Sequence, residues 1–328
     1  MIEKTLQAVA GKPEAGKRFG VRSMPLLGVA LLLAIFLVQA VSMPFWPVQA
    51  KTVASGPLDI VAAENFYQDI AAQLAGPYAR VNSVQSDPNI DPHEFEPSVK
   101  DAMEVAGANL VIENGGGYDE WMKKLLSASP NPGRLVINAF DISPVKLPEN
   151  EHVWYSMEDM KAVAAALTKD LKTLRPQQAA RFDKNLQVFD KSLEGIEAKM
   201  REVSKRFSGA PIALTEPIFL YQSVPMGLKV LTPFAFQKAV AQGIDPPADA
   251  VLSAREQVKK KLVRALVYNQ QTADRFTEDL KELAKRSGVP VVGVTETMPP
   301  GKHYQSWMLD QIEALESALG SGAAGGAQ

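Results

Sequence analysis

The 328-residue chain contains no cysteine and only three histidines. Without cysteine there is no disulfide framework, no thiolate cluster for zinc or copper, and no thiol to carry a lipid. Positive charge is not in excess either, with 35 Lys+Arg against 37 Asp+Glu, so the surface gives no reason to expect nucleic-acid binding. Long apolar runs are missing except for "PLLGVALLLAIFLVQAV" (Pro25–Val41). Lys17, Arg18 and Arg22 precede that run, and Val48-Gln49-Ala50 offers a small-residue cleavage site before Lys51, with Val38-Gln39-Ala40 an earlier one. Residues 1–50 therefore read as a secretory signal, and an uncleaved anchor is the alternative because the run approaches bilayer-spanning length. Export without a lipid-bearing thiol points to a soluble periplasmic protein. Removing residues 1–50 takes five basic and two acidic residues, which leaves 30 against 35, net −5, on a 278-residue chain. That length can build a core large enough to do without disulfides.

What is present is an alternation of short apolar runs and amphipathic segments. "LDIVAA", "ARVNSVQS", "NLVIE" and "RLVINAF" read as strands. Between them "NFYQDIAAQLAG", "SVKDAMEVAGA" and "YDEWMKKLLSAS" read as helices, the second opening on Ser98 and Asp101 at capping-box spacing. Strands that alternate with helices imply a parallel sheet covered on both faces. Two helical segments follow, "MEDMKAVAAALTKDLKTL" and Pro176 to Phe207, the latter about 48 Å long at ~1.5 Å per residue. Beyond it the pattern resumes with "PIALT", "RALVYN", the helix "TADRFTEDLKELAKRSG" and "VPVVGVTE". The expected architecture is α/β: two lobes, each a parallel sheet flanked by helices, joined by one long rigid helix. The boundaries are an N-terminal lobe at 51–175, a linking helix at 176–207, a C-terminal lobe at 208–318 and a flexible Gly/Ala-rich tail at 319–328.

Open parallel sheets bind ligands beyond the carboxyl ends of their strands. The polar residues found there are Glu64, Asn65, His93, Gly115–Gly117 and His152 in the first lobe, and Glu216, Asn269–Gln271 and Glu296 in the second. His93, His152, Glu216 and Glu296 can converge between the lobes, and two neutral imidazoles with two carboxylates offset the charge of Mn²⁺, Fe²⁺ or Zn²⁺. From the residues alone, hydrogen-bonded structural histidines and metal ligands both stand open.

At these positions the chain resembles a known family, the solute-binding receptors of zinc and manganese ABC transporters. The resemblance runs through "AENFYQDIA", "DPHEFEPS", "NGGGYDEWMKKL", "EHVWYSM", the helix after Pro176, "TEPIFLYQSVPMGL" and "TETMPPGKHYQSWM", in the family's order and over nearly all of the chain after residue 57. It implies that His93 and His152 are the first two metal ligands and that Glu216, where such receptors have histidine or glutamate, is the third. The fourth, usually aspartate, falls on Glu296. The chain departs from the family in that extra methylene, in lacking the Asp-Pro that often follows the second ligand's tryptophan, and in lacking a His-rich acidic loop between His93 and His152. The cargo implied is Zn²⁺ or Mn²⁺, with Fe²⁺ ranked after them, and the partners implied are a membrane permease and its ATPase, served by a monomer. The proline steps around His93 (Asp87-Pro88, Asp91-Pro92, Glu96-Pro97) would hold a ligand in place before the metal arrives.

The remaining features have plainer readings. His303, among Pro-Pro-Gly, is expected at the surface or on a lid; the triple glycine lacks the spacing of a phosphate loop and is expected as a tight turn. Glu96 could orient an imidazole N–H. Trp121, Trp154 and Trp307 are expected as core or cleft wall. A second functional class is an exported metal-dependent hydrolase, which needs an open coordination position and a poised base. Four protein ligands leave no such position, and no H-E-x-x-H is present, so the binding protein is the reading adopted.

Overall fold

A computed structural model describes residues 56–321 of the chain apart from residue 273. The secretory segment expected at 1–50 and the last seven residues of the expected tail lie outside them.

The first sheet is formed by β1 (Leu58–Glu64), β2 (Ala79–Gln85), β3 (Leu110–Glu113) and β4 (Leu135–Asn138), in the order β2-β1-β3-β4. The second contains β5 (Pro211–Leu214), β6 (Lys229–Val230), β7 (Leu266–Asn269) and β8 (Val291–Val294), in the order β6-β5-β7-β8. All pairings are parallel, and the two sheets repeat one strand order. In each, the order reverses beside the first strand, so each sheet opens a crevice where its first and third strands end. The apolar runs of β1 and β3 are buried on both faces, as a helix-covered parallel sheet requires. β2, at the edge, is half exposed.

Helices α1 (Asn65–Ala75), α2 (Val99–Gly107), α3 (Glu120–Ala128) and the short α4 (Ala139–Ile142) belong to the first lobe. The Ser98–Asp101 capping box is formed: Ser98 Oγ accepts from the Asp101 backbone N–H and the Asp101 carboxylate accepts from the Ser98 N–H. α5 spans Met157–Leu174 and is capped by Ser156. The linking helix, α6, is α-helical over Ala179–Phe207, 29 residues; Pro176–Gln178 forms a 3₁₀ turn in front of it rather than its first turn. Its length is therefore about 43 Å. The second lobe adds α7 (Leu220–Ser223), α8 (Phe234–Ala241), α9 (Ala248–Lys259) and α10 (Arg275–Ser287). The closing helix α11 (Tyr304–Ser321) runs past the expected end of the lobe, with Leu319 fully buried.

Besides α6, the lobes share a core. Phe66 of α1 stacks on Trp154 with centroids 4.8 Å apart and meets Trp307 of α11 at 5.9 Å. Tyr155 lies 5.9 Å from Trp307 and 6.1 Å from Phe219. These rings belong to one buried apolar cluster that contains strands from both sheets. Polar ties cross the same seam: Asn65 donates to Met298 O at 2.8 Å and accepts from Met298 N at 2.9 Å, and Tyr304 donates to Trp154 O at 2.7 Å.

Candidate metal centre

Each residue of interest is placed by a strand end. The loop after β2 carries Asp87 to Pro97, where Pro92–Glu94 make one 3₁₀ turn and the Asp91 side chain accepts from the His93 backbone N–H at 2.9 Å. Trp121 donates to Pro92 O at 3.3 Å, and Gln271 of the other lobe donates to Ile90 O at 3.2 Å, so the loop is held from both sides. The His93 ring rests edge-on against Tyr118, centroids 4.7 Å apart. Glu96 is exposed and no hydrogen bond joins it to either imidazole; Asp91 holds the His93 backbone and Tyr118 packs against its ring.

His152 is fully buried. Asn150 Oδ1 lies 2.8 Å from its Nδ1 and 3.1 Å from its backbone N, while Asn150 Nδ2 donates to Pro217 O at 2.8 Å. The asparagine oxygen thus takes the Nδ1–H, which leaves Nε2 with its lone pair free and no partner. Burial pushes the imidazole pKa well below its usual value, so the ring is neutral.

Glu216 follows β5 and Glu296 follows β8; both are buried. Asn269, at the end of β7, donates to Glu216 Oε2 at 3.1 Å and to Glu296 Oε1 at 2.5 Å. Tyr118 donates to Glu296 Oε2 at 2.8 Å, while Glu216 Oε1 has no partner. Burial, then the neighbouring Glu296 charge, pushes Glu216 up to about 8; burial, then Asp91, does the same to Glu296.

The structure brings the four sequence-derived residues to one place. His152, Glu216 and Glu296 offer ligand atoms within 4.8 Å of one another, as do Asp91, His93 and Glu296. A third set, His93, Glu151 and His152, meets the same limit. Glu151, Asn150 and Tyr118 were not singled out in the sequence, and Asp91 only as part of a proline step. The signal for Glu151 was its place beside His152; Tyr118 reaches Glu296 across 178 positions, which no local pattern reports. His303 lies elsewhere, exposed, with Nδ1 2.7 Å from Asp69 Oδ1. Gly115, Gly116 and Gly117 have φ of 75°, 66° and 99°, so the triple glycine is a turn. A Cβ on Gly116 would lie 2.7 Å from Phe140 and 3.2 Å from the Glu151 Cβ.

Buried imidazole nitrogen and carboxylate oxygen atoms without hydrogen-bond partners, facing one another between two α/β lobes, define a protein that captures a metal cation. The family of the zinc-uptake complex component A, periplasmic, matches residues 60–318, and the chain belongs to it. It is accordingly the binding component of a metal-uptake transporter and not an enzyme. Relatives include the metal ABC transporter substrate-binding lipoprotein ScbA of Streptococcus cristatus, 24% identical over 289 residues that cover 81% of this chain and 90% of that one. The iron-binding protein YfeA of Yersinia pestis is 23% identical over 244 residues, 72% and 76% of the two chains. Among solved structures, the periplasmic zinc binding protein TroA from Treponema pallidum matches with a TM-score of 0.70 at 18% identity, covering 80% of this chain and 99% of that one. The substrate-binding protein FpvC of Pseudomonas aeruginosa, in complex with Mn²⁺, matches with 0.67 at 19%, covering 81% and 99%. These likenesses establish the two-lobed fold.

Proposed function

We propose that the protein holds one divalent transition metal, Zn²⁺ or Mn²⁺, on His93, His152, Glu216 and Glu296, and delivers it in the periplasm to the membrane permease of an ABC transporter that an ATPase drives. One observation carries this reading: His152 Nε2 and Glu216 Oε1 are both buried, both without a hydrogen-bond partner, and both in the same cluster. Leaving such groups unsatisfied costs about 1–3 kcal/mol each, more when charged, and a cation between them removes that cost. Two neutral imidazoles and two carboxylates balance a 2+ charge, and oxygen and nitrogen donors suit Zn²⁺, Mn²⁺ and Fe²⁺ over soft Cu⁺. Relatives named for zinc, manganese and iron support the same short menu. Some relatives are lipoproteins by name, whereas the 328 residues here hold no cysteine for a lipid, which supports a periplasmic protein without a lipid anchor.

Calorimetric titration with Zn²⁺ and Mn²⁺ tests the ligand set. His93→Ala and His152→Ala each weaken binding by orders of magnitude, and His303→Ala leaves it within about twofold. A titration in which His303 is required and His152 is dispensable overturns the assignment. Elemental analysis of protein from its native compartment identifies the cargo.

A further inference from the structure

The three ligand sets are not equivalent in depth. Glu296 and His152 are fully buried and Glu216 nearly so, while the side chains of His93 and Glu151 keep 22% and 21% of their exposure. A cleft of about 710 Å³ opens beside them, lined by Asp91, His93, Glu151, Gly116 and Lys238; neither Glu216 nor Glu296 reaches its wall. A cation from solvent therefore meets Glu151 and His93 before it can meet the inner carboxylates.

His93 Nε2 stands between the two levels, 3.9 Å from Glu151 Oε1 and 3.8 Å from Glu296 Oε2. His152 belongs to both the outer set with Glu151 and the inner set with Glu216 and Glu296. The backbone of Glu151 is pinned, its carbonyl accepting from Asn114 Nδ2 at 3.0 Å and from Val153 N at 2.7 Å. His93 Nε2 is the basic partner within 4.0 Å of its carboxylate among the described residues, and Gly116 leaves room for its Cβ. A carboxylate on a pinned backbone beside two imidazoles, one of them buried with an unpartnered Nε2, is a metal-binding arrangement in its own right.

We propose that His93, Glu151 and His152 form an outer station, where an arriving divalent transition-metal ion is first held before it moves inward onto Glu216 and Glu296. A hydrated ion exchanges its waters for ligands one after another. With both imidazoles common to the two stations, the inward step exchanges one carboxylate, Glu151, for two, Glu216 and Glu296. The inference rests on the inner site proposed above.

Stopped-flow absorbance with Co²⁺ tests it on the full chain. Glu151→Gln lowers both the association and the dissociation rate constants by about tenfold, the scale of a lost charge at a focused cleft, and leaves Kd within about threefold. Unchanged rates overturn the proposal. So does a rise in dissociation alone, which makes Glu151 a final ligand, and so does a loss of association alone that high salt abolishes, which marks long-range steering. A second arm uses Glu216→Gln with Glu296→Gln: this double variant keeps one weak Co²⁺ site that the added Glu151→Gln removes, and a folded double variant that binds no Co²⁺ also overturns the station. If the double variant does not fold, the kinetic arm decides. Wild-type protein that binds no Co²⁺, or His152→Ala that binds as wild type does, defeats the inner site itself; stoichiometric wild-type binding with unaltered Glu151→Gln kinetics defeats the station alone.

Discussion

Asn150 and His152 act as one unit: the asparagine Oδ1 lies 2.8 Å from Nδ1 of the imidazole and 3.1 Å from its backbone N. The same side chain donates to Pro217 O, one residue beyond Glu216, so a single amide fixes the tautomer of one proposed ligand and the backbone beside another. Removing a group that orients a metal-bound histidine costs roughly 10–100-fold in affinity. Asn150→Ala is therefore expected to weaken metal binding by about that factor. Asn150→Asp, which still accepts from Nδ1–H, is expected to recover part of the loss. Equal affinities for Asn150→Ala and wild type, measured by competition with a chelator, would remove Asn150 from this role.

The pH dependence follows from the buried carboxylates more than from His152. Free imidazoles take up protons between about pH 7 and 5, and those protons compete with a metal there. Burial lowers the His152 pKa well below the usual imidazole value, whereas Glu216 and Glu296 are pushed up to about 8 and keep protons that the metal must displace. Affinity is expected to go on rising from pH 7 to about 8.5, and a plateau already reached at pH 7 would contradict the raised values. The sign for the metal-free protein is the opposite. A carboxyl whose folded pKa is raised stabilises the fold fully below its unfolded value, near 4.5, and that contribution is lost as pH climbs through about 8. Melting of the metal-free protein is thus expected to fall from pH 6 to 9, and the rise on adding metal to grow over the same range.

A metal that binds only the folded state adds RT ln(1 + [L]/Kd), about 4 kcal/mol at 1,000-fold excess over Kd. For a chain of this size that corresponds to a melting shift on the order of ten degrees, at roughly 2–4 °C per kcal/mol. The shared aromatic seam and α6 are expected to hold the lobes still, so small-angle scattering should give the same radius of gyration with and without metal. An unchanged melting point would rule out an ion that bridges the lobes; a clear change in radius would rule out the fixed seam.

Gly195 sits in the middle of α6 on its exposed side, and a Cβ built there meets nothing within 4 Å. Glycine in a helix interior costs about 0.5–1 kcal/mol relative to alanine. Gly195→Ala is expected to raise the melting temperature by about 1–4 °C without altering metal affinity. A lower melting temperature would mean that the linking helix needs its glycine for something other than helicity.

What could be seen in the sequence was whatever local chemistry announces. Buried strands show as apolar runs, Met157–Leu174 shows its helical period from end to end, and Ser98 with Asp101 marks a helix start. His93, His152, Glu216 and Glu296 could be found because a ligand crevice follows strand ends, and those residues follow them. β6 is two residues long and has no period to detect. Pro176 suits a helix start, but the chain takes a 3₁₀ turn there before the α-helix settles at Ala179. The linking helix was the one connection between the lobes that the sequence announced. Phe66, Trp154 and Trp307 also meet across the lobe interface, and contacts between residues so far apart in the chain leave no trace in any short window. Asn269, although noted at its strand end, gave no sign that its one amide group would serve two carboxylates.

The seam of Phe66, Trp154, Tyr155 and Trp307 has a consequence for how cargo is chosen. Jaws that close around a ligand can adjust their gap to the ion, but a vice set by packed aromatic rings cannot. Discrimination among ions of equal charge must then come from what the fixed cavity refuses, by radius and preferred coordination number, and not from the extent of closure. Enlarging the vice should loosen that refusal: Trp307→Phe removes ring volume from the seam without touching a carboxylate or an imidazole of the site. Its Zn²⁺-to-Mn²⁺ affinity ratio, set beside that of the wild type, shows whether the seam sets the choice; an identical ratio in a folded variant would show that it does not.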